Sequence, residues 1–351
     1  MTTPFTAPVL RWYARSARDL PWRQPTATPW SVLVSEIMLQ QTPVSRVLPA
    51  YEAWLRRWPE PAALAAATPA DAVRQWDRLG YPRRAIRLHA SAELITTRHD
   101  GQVPASADEL RSLPGVGSYT AAAVAAFAFG QRHAVLDTNV RRVLARLVTG
   151  SFLPPPAPTA AEISLAESLL PADGHIAARW SVGVMELGAL VCTAARPRCV
   201  DCPLRARCAW FSQGQSTGPA RRPAPRYEGS DRQSRGRLLA VLRSANGPVT
   251  PDALAAAWPD SEQRARALAA LIADGLVMRC ADGSLALPGE SALSGADSEP
   301  GRPREANRAP EPDSETGRPS RSPEPEGQTG RPGEASRSPE PARSIQPLGV
   351  S

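Results

Sequence analysis

The segment CTAARPRCVDCPLRARC sets Cys192, Cys199, Cys202 and Cys208 at spacings C-x6-C-x2-C-x5-C. No other feature so narrows what the chain can fold into. Its first residues, MTTPFTAPVL, lack the basic flank and long apolar core of a secretion leader, so an intracellular protein is expected, in which disulfides are poor candidates. Four thiolates this close can wrap one tetrahedral zinc or a cubane iron–sulfur cluster. Zinc sites usually draw on two separated pairs; here one contiguous loop supplies every ligand, which suits a cluster better. Arg196, Arg198, Arg205 and Arg207 share the loop. They would either meet phosphates or offset the charge of a thiolate-bound metal. Cys280 stands alone and reads as a buried apolar residue.

The charge balance, +7 with a pI near 9.7, favours a polyanionic partner. All 41 basic residues are arginine, so no side-chain amine is present to form a Schiff base. No apolar run is long enough to span a bilayer. A cytoplasmic protein with no membrane partner is expected.

Helical periodicity dominates residues 9–150. PAALAAATPADAVRQWDRLG and YPRRAIRLHASAELITT carry apolar residues at helical spacing, punctuated by Pro and Gly. No alternating run of strand length precedes residue 276, so the core is all-α. Residues 212–230 read as a flexible Gly/Pro/Arg-rich linker. Beyond it, helical patterns over 234–245 and 261–275 precede LVMRCADGSLAL, a hairpin closed at Asp282-Gly283. That order fits a winged-helix-like module over 231–287, or a small packing appendage. From residue 288 to 351 the chain is Pro, Glu, Ser, Arg and Gly in loose repeats such as GRPSRSPEP, too poor in apolar side chains to offset ordering entropy; a disordered tail is expected.

Two carboxylates sit in apolar company. WSVLVSEIMLQQT is apolar on nearly every face and reads as a buried helix, and Glu36 is the only charge between Arg23 and Arg46. A carboxylate there must either pair, as a structural ion, or hold its proton with a raised pKa, as a general acid. In VLDTNVRRVLARL, Val140, Val143, Leu144 and Leu147 form one helical face, and Asp137 stands where an N-cap belongs. LPGVGSYTAAAV sets a turn with a proline and two glycines before an alanine-rich helix. It is either an ordinary tight turn or a hairpin whose free N–H groups meet a phosphate.

SEIMLQQT, LPGVGSYTAAAV, VLDTNVRRVL, MELGALVC and the cysteine loop stand in the order found in helix–hairpin–helix DNA glycosylases. Within that superfamily, residues 9–211 most resemble the adenine DNA glycosylases of the MutY type. The resemblance implies a catalytic region over 1–211: a six-helix barrel at about 24–132, beside a helical domain built from 1–23 and 133–211 that holds one 4Fe–4S cluster on Cys192, Cys199, Cys202 and Cys208. The implied reaction is base excision repair of double-stranded DNA by a monomeric, nucleoid-associated enzyme that removes adenine opposite 8-oxoguanine or guanine. Glu36 matches the residue that protonates the base and Asp137 the one that stabilises the oxocarbenium-like sugar, with Asn139 and Tyr119 in support. Gln41, Thr42 and Tyr81 match residues that wedge into the duplex. Trp22 and Arg23 match the wall of the adenine pocket. Leu113, Gly115 and Gly117 match the DNA-binding hairpin.

Tyr119 occupies the position of the Schiff-base lysine in endonuclease III-type relatives, so a monofunctional glycosylase that leaves an abasic site is expected. Two departures stand out. Pro82 replaces a second tyrosine after Tyr81, and no Nudix-like domain follows residue 211, which leaves adenine removal better supported than a preference for 8-oxoguanine. A thymine or uracil mismatch glycosylase is the near alternative. Glu36 argues against it, since thymine excision needs no strong proton donor to N7. A non-catalytic DNA-binding redox sensor is the distant alternative, in which Glu36 and Asp137 would be structural.

Overall fold

The computed structural model describes residues 3–218 and 226–290. The expected tail beyond residue 290 and the middle of the expected linker lie outside the described residues. Helix α1 (Thr6–Ser16) leads through a 3-10 turn, Pro21–Arg23, into α2 (Pro29–Leu39). Then come α3 (Val44–Arg57), α4 (Pro61–Ala65), α5 (Pro69–Trp76), α6 (Arg83–Arg98) and α7 (Ala107–Ser112); a hairpin joins α7 to α8 (Ser118–Phe129). Helix α9 (Thr138–Leu144) passes into a π-helical turn, Ala145–Thr149, before α10 (Ala160–Leu169), α11 (Gly174–Leu190) and, past the cysteines, the short α12 (Ala209–Ser212).

Local chemistry explains the helix starts. The Thr28 hydroxyl accepts from the Ser31 N–H at 3.1 Å, with Pro29 in the first turn of α2. Reciprocal capping boxes, Thr68 with Asp71 and Thr159 with Glu162, open α5 and α10. Replacing such a cap by alanine costs about 1 kcal/mol.

Packing joins these helices around two apolar cores. The first gathers Leu33 and Ile37 of α2, Trp54 of α3, Trp76 of α5, Leu88 of α6 and Val124 of α8. Trp54 makes edge-on contacts with both Trp58 and Trp76, at centroid distances of 4.6 and 5.5 Å. The second core joins Val9 and Trp12 of α1 to Val140 and Leu144 of α9 and Trp180 and Leu187 of α11. The start of the chain thus packs beside its later helices. Cys192, Cys202 and Cys208 lie against this second core.

After residue 226 come α13 (Asp231–Ser244), α14 (Pro251–Ala257), α15 (Ser261–Ala273) and an antiparallel hairpin, β1 (Met278–Arg279) with β2 (Leu285–Ala286). Helix α14 is absent from the sequence reading because seven residues, mostly alanine, show no periodicity. The hairpin turns at Asp282-Gly283, where Gly283 adopts φ +84°. Cys280 is half-buried at that bend rather than buried, since its N–H bonds Ser284 O and holds it near the surface.

This C-terminal part shares the first core through Leu238, Leu242, Leu254 and Leu271. It also grips the segment between α5 and α6. Arg74 donates to Ala245 O at 2.8 Å, Arg83 pairs with Asp274 at 3.0 Å, and Arg243 donates to Asp77 O.

Candidate active site

Helices α2, α8 and α9 bring the sequence candidates together. A cavity of about 920 Å³ is lined by Trp22, Arg23, Glu36, Gln41, Thr42, Tyr119, Asp137 and Asn139, among others. Glu36 projects from the middle of α2, Tyr119 from the first turn of α8, and Asp137 from the N-cap of α9. Alanine and glycine permit this convergence. Helix α8 packs on both α2 and α11, and a Cβ on Gly188 of α11 would lie 2.7 Å from the Asn139 Cβ. Any larger residue at 188 would push α9, and Asp137 with it, out of place.

Electrostatics divide the two carboxyls. Glu36 is 6% exposed. Burial, with a further push from the Asp137 charge, raises its pKa to about 7, against the opposing effects of the Tyr119 hydrogen bond and the Arg23 charge. Asp137 is also raised by burial, but its charged form is held: Oδ1 accepts from Val140 N–H at 2.6 Å and Oδ2 from Asn139 Nδ2 at 2.8 Å. Glu36 therefore titrates near neutrality, while the hydrogen bonds to Asp137 favour its charged form. Burial and the two neighbouring carboxyls raise Tyr119 well above 10, so it remains a neutral hydroxyl.

Three residues that hold these side chains are not marked as site residues by the sequence alone, although two of them lie inside its motifs. Glu186 of α11 is fully buried; its carboxylate accepts from Arg18 Nε and Nη2, each at 2.7 Å, and from Arg23 Nη1 at 2.9 Å. Burial alone would raise its pKa, but the Arg18 hydrogen bond and the Arg23 charge hold it below the usual carboxylate range. Arg23 is thereby fixed in the cavity wall. Arg142 donates to Asn139 Oδ1 at 2.7 Å, to Gly188 O at 2.7 Å and to Cys192 O at 2.8 Å, which ties Asn139 to the cysteine loop. Arg84, buried under the loops that follow α2 and α5, is the third.

Tyr81 and the hairpin residues Leu113, Gly115 and Gly117 lie off the cavity wall. Tyr81 is 57% exposed, with its backbone left-handed at φ +48°. Leu113 is buried in the first core, so its side chain anchors the hairpin from within. Gly115 has φ +84° and admits Arg87 of α6, whose Cβ would lie 3.0 Å from any added Cβ. Gly117 N-caps α8 without a side chain to occupy the first-turn N–H groups, and both it and Ser118 are exposed. Ser91 donates to Pro114 O at 2.7 Å and Gln40 to Gly115 O at 3.4 Å, which fastens the hairpin to α6 and to the end of α2. Thr42 is buried, and its hydroxyl accepts from Arg84 Nη2 at 2.8 Å.

Cys192, Cys199, Cys202 and Cys208 line one small hollow with Val191, Leu-flanking Arg205, Trp210 and Phe211. Burial pushes the Cys202 thiol up to about 11, and raises Cys199 and Cys208 as well. A bound metal would favour the thiolate forms. Arg146 Nη1 lies 3.3 Å from Cys192 Sγ and Gln215 Nε2 lies 3.2 Å from Cys199 Sγ, donors suited to thiolates. Gln215 belongs to the expected flexible linker, yet residues 213–218 pack here: Trp210 Nε1 bonds Ser216 O at 2.8 Å, and Gly218 abuts Phe152. The four thiols share this hollow, but among the described residues no three donor side chains stand close enough to grip a single metal ion.

The chain is similar to known proteins in sequence and in fold. Residues 34–167 match the family model of the HhH-GPD superfamily base excision DNA repair proteins. The chain is 54% identical over 285 residues to an adenine DNA glycosylase of Mycobacterium tuberculosis, an alignment that spans 80% of this chain and 93% of the relative. It is 51% identical over 283 residues to an adenine DNA glycosylase of Mycolicibacterium smegmatis, spanning 80% and 95%. Among solved structures, a thermostable thymine-DNA glycosylase superposes with a TM-score of 0.54 at 28% identity, covering 60% of this chain and 95% of that one.

Proposed function

The chain belongs to the adenine DNA glycosylases of the HhH-GPD superfamily, and from that premise we propose that it hydrolyses the N-glycosidic bond of adenine opposite 8-oxoguanine or guanine in duplex DNA. One observation carries the assignment of roles: a buried Glu36 with a pKa of about 7 shares a cavity with Asp137, both of whose carboxyl oxygens accept hydrogen bonds. The target base must leave the stack to reach such a cavity. Adenine is a poor leaving group until protonated, and Glu36 near neutrality is poised to give a proton to N7. Bond cleavage builds positive charge on the sugar, which the Asp137 carboxylate stabilises; the glutamate left unprotonated then takes a proton from the attacking water. Tyr119 orients Glu36, Asn139 orients Asp137, and Trp22 with Arg23 walls the base.

The remaining candidates support binding. The open N–H groups at Gly117 suit a DNA phosphate, with Gly115 giving the strand room. Gln41 and Tyr81, exposed and left-handed on neighbouring loops, suit insertion into the duplex, with Thr42 beneath them. Cys192, Cys199, Cys202 and Cys208 round one hollow would hold one 4Fe–4S cluster, which when bound would give the arginine-bearing loop a fixed shape. The two cores support division of residues 1–211 into a barrel at about 24–132 and a cluster domain from 1–23 and 133–211, followed by a winged-helix-like module over 231–287. With no lysine in the chain, the product is an abasic site and strand cutting waits for alkali.

The test is a panel of duplexes carrying 8-oxoguanine·A, G·A, G·T and G·U, each treated with protein and then alkali. Cleavage of the adenine strand, abolished in a folded Glu36→Gln variant, is expected. Cleavage only at T or U would assign the chain to the thymine and uracil enzymes instead. Strand nicking without alkali would overturn the monofunctional reading.

A further inference from the structure

Helix α2 ends at Leu39 with no backbone cap, and an arginine from another helix takes over that task. Arg84 Nη1 donates to Ile37 O and Met38 O at 2.8 Å each and to Gln40 O at 2.7 Å. Those carbonyls have no partner further along the helix, and a cation there meets the negative end of the helix dipole. The other arm, Nη2, donates to Thr42 Oγ1 at 2.8 Å and to Gly80 O at 2.9 Å. The guanidinium plane lies 5.1 Å from the Trp76 ring centroid and 5.5 Å from that of Tyr81. One side chain, 6% exposed, thus binds both the 40–42 loop and the 80–81 loop.

Both loops hold conformations that an isolated chain would not keep. Gln41 has φ +55°, Asp77 +41° and Tyr81 +48°, none of them glycine. Such backbone is strained and persists only where the surroundings over-determine it. Arg84 determines the loops from inside, and Trp76 Nε1 supports it by bonding Gly80 O at 2.9 Å. From outside, Arg243 holds Asp77 O. Burial lowers the Arg84 pKa to about 10, which leaves it charged at neutral pH.

We propose that Arg84 is the positioning residue that holds the Gln41 and Tyr81 loops in fixed relation to each other and to the end of the helix carrying Glu36. It rests on the reading of Gln41 and Tyr81 as duplex wedges. It makes opening of the base pair depend on a residue that touches no DNA. A planar fork with several donors can span five acceptors; a lysine ammonium, with three donors at one point, cannot.

The test is a mutant cycle in the full-length protein, read as the single-turnover rate of adenine excision from an 8-oxoguanine·A duplex, with 2-aminopurine beside the mispair to report unstacking. Arg84→Lys should lower the rate about 10- to 100-fold through misplacement of the loops, with the 2-aminopurine signal lost in parallel. In a Gln41→Ala/Tyr81→Ala background the same change should cost about twofold or less, because residues acting as a unit are not additive. The alkaline limb of the pH profile, which belongs to Glu36, should stay in place. Trp76→Phe, which removes the second donor to Gly80 O, should act in the same direction and with the same non-additivity; it decides the matter if Arg84→Lys fails to fold. If the Gln41/Tyr81 double variant is fully active, the wedge reading fails and the proposal with it. If that double variant is impaired but Arg84→Lys and Trp76→Phe lower the rate by equal factors in both backgrounds, or leave it unchanged, Arg84 is merely structural and the proposal is overturned.

Discussion

Replacing Tyr119 by phenylalanine should move the alkaline limit of activity upward. Glu36 gives its proton only when protonated, so with a pKa of about 7 the excision rate should fall about tenfold for each pH unit above that value. Burial is the main cause of the raised pKa, and phenylalanine preserves it. What phenylalanine removes is the hydrogen bond from the Tyr119 hydroxyl, which favours the charged carboxylate and holds the pKa down. Such a bond contributes about 0.5–1.5 kcal/mol, equivalent to about 0.4–1.1 pH units. The limb should therefore shift up by that amount, and at pH 8.5 the variant should lose less of its own maximal rate than the parent does. Single-turnover excision from an 8-oxoguanine·A duplex between pH 6 and 10 is the assay. A limb that stays put or moves down would refute the assignment of the limb to Glu36.

Three further outcomes are expected. Glu36→Gln should stabilise the fold: a carboxyl whose folded pKa exceeds its unfolded value of about 4.5 loses stability as pH rises from 4.5 to 7, so the gain should approach about 3 kcal/mol at pH 8 and vanish near pH 4, as denaturant melts at the two pH values would show. Cys202→Ser should lose the brown colour and the iron and sulfide of the purified protein and lower its melting temperature; a colourless parent protein containing zinc would contradict the cluster. Glu186→Gln should destabilise by about 2–4 kcal/mol, toward the lower end because Arg18 is one-third in solvent, with the loss present at neutral pH and fading as pH falls through the depressed pKa of Glu186; an unchanged melt would show that the buried pair does nothing.

Residues legible in the sequence were those of scarce type. A lone glutamate in an apolar helix and four cysteines in one loop stand out wherever they occur, and the glycines around Tyr119 mark a turn by their geometry. Arg84, Arg142 and Arg146 do not stand out, because every one of the 41 basic residues is arginine. What separates them is burial and partners that lie up to 50 residues away, as Cys192 O does from Arg142. Glu186 lay within a recognised motif, yet its pairing with Arg18, 168 residues earlier, exists only once α1 returns to α11. Gln215 escaped notice because its surroundings have the composition of a linker, and composition cannot register one side chain reaching back to Cys199.

Glu36 and Gln41 are five residues apart, and Arg84 clamps the helix end between them. Each residue of an α-helix turns its successor by about 100° and advances it by about 1.5 Å. A single residue inserted or deleted between Met38 and Gln40 would therefore rotate the proton donor roughly a quarter-turn relative to the tip that enters the duplex. Length between these two positions is under tighter constraint than identity. A chain that alters its side chains here can still aim; one that alters its count would open the pair and face the base with the wrong side of the helix.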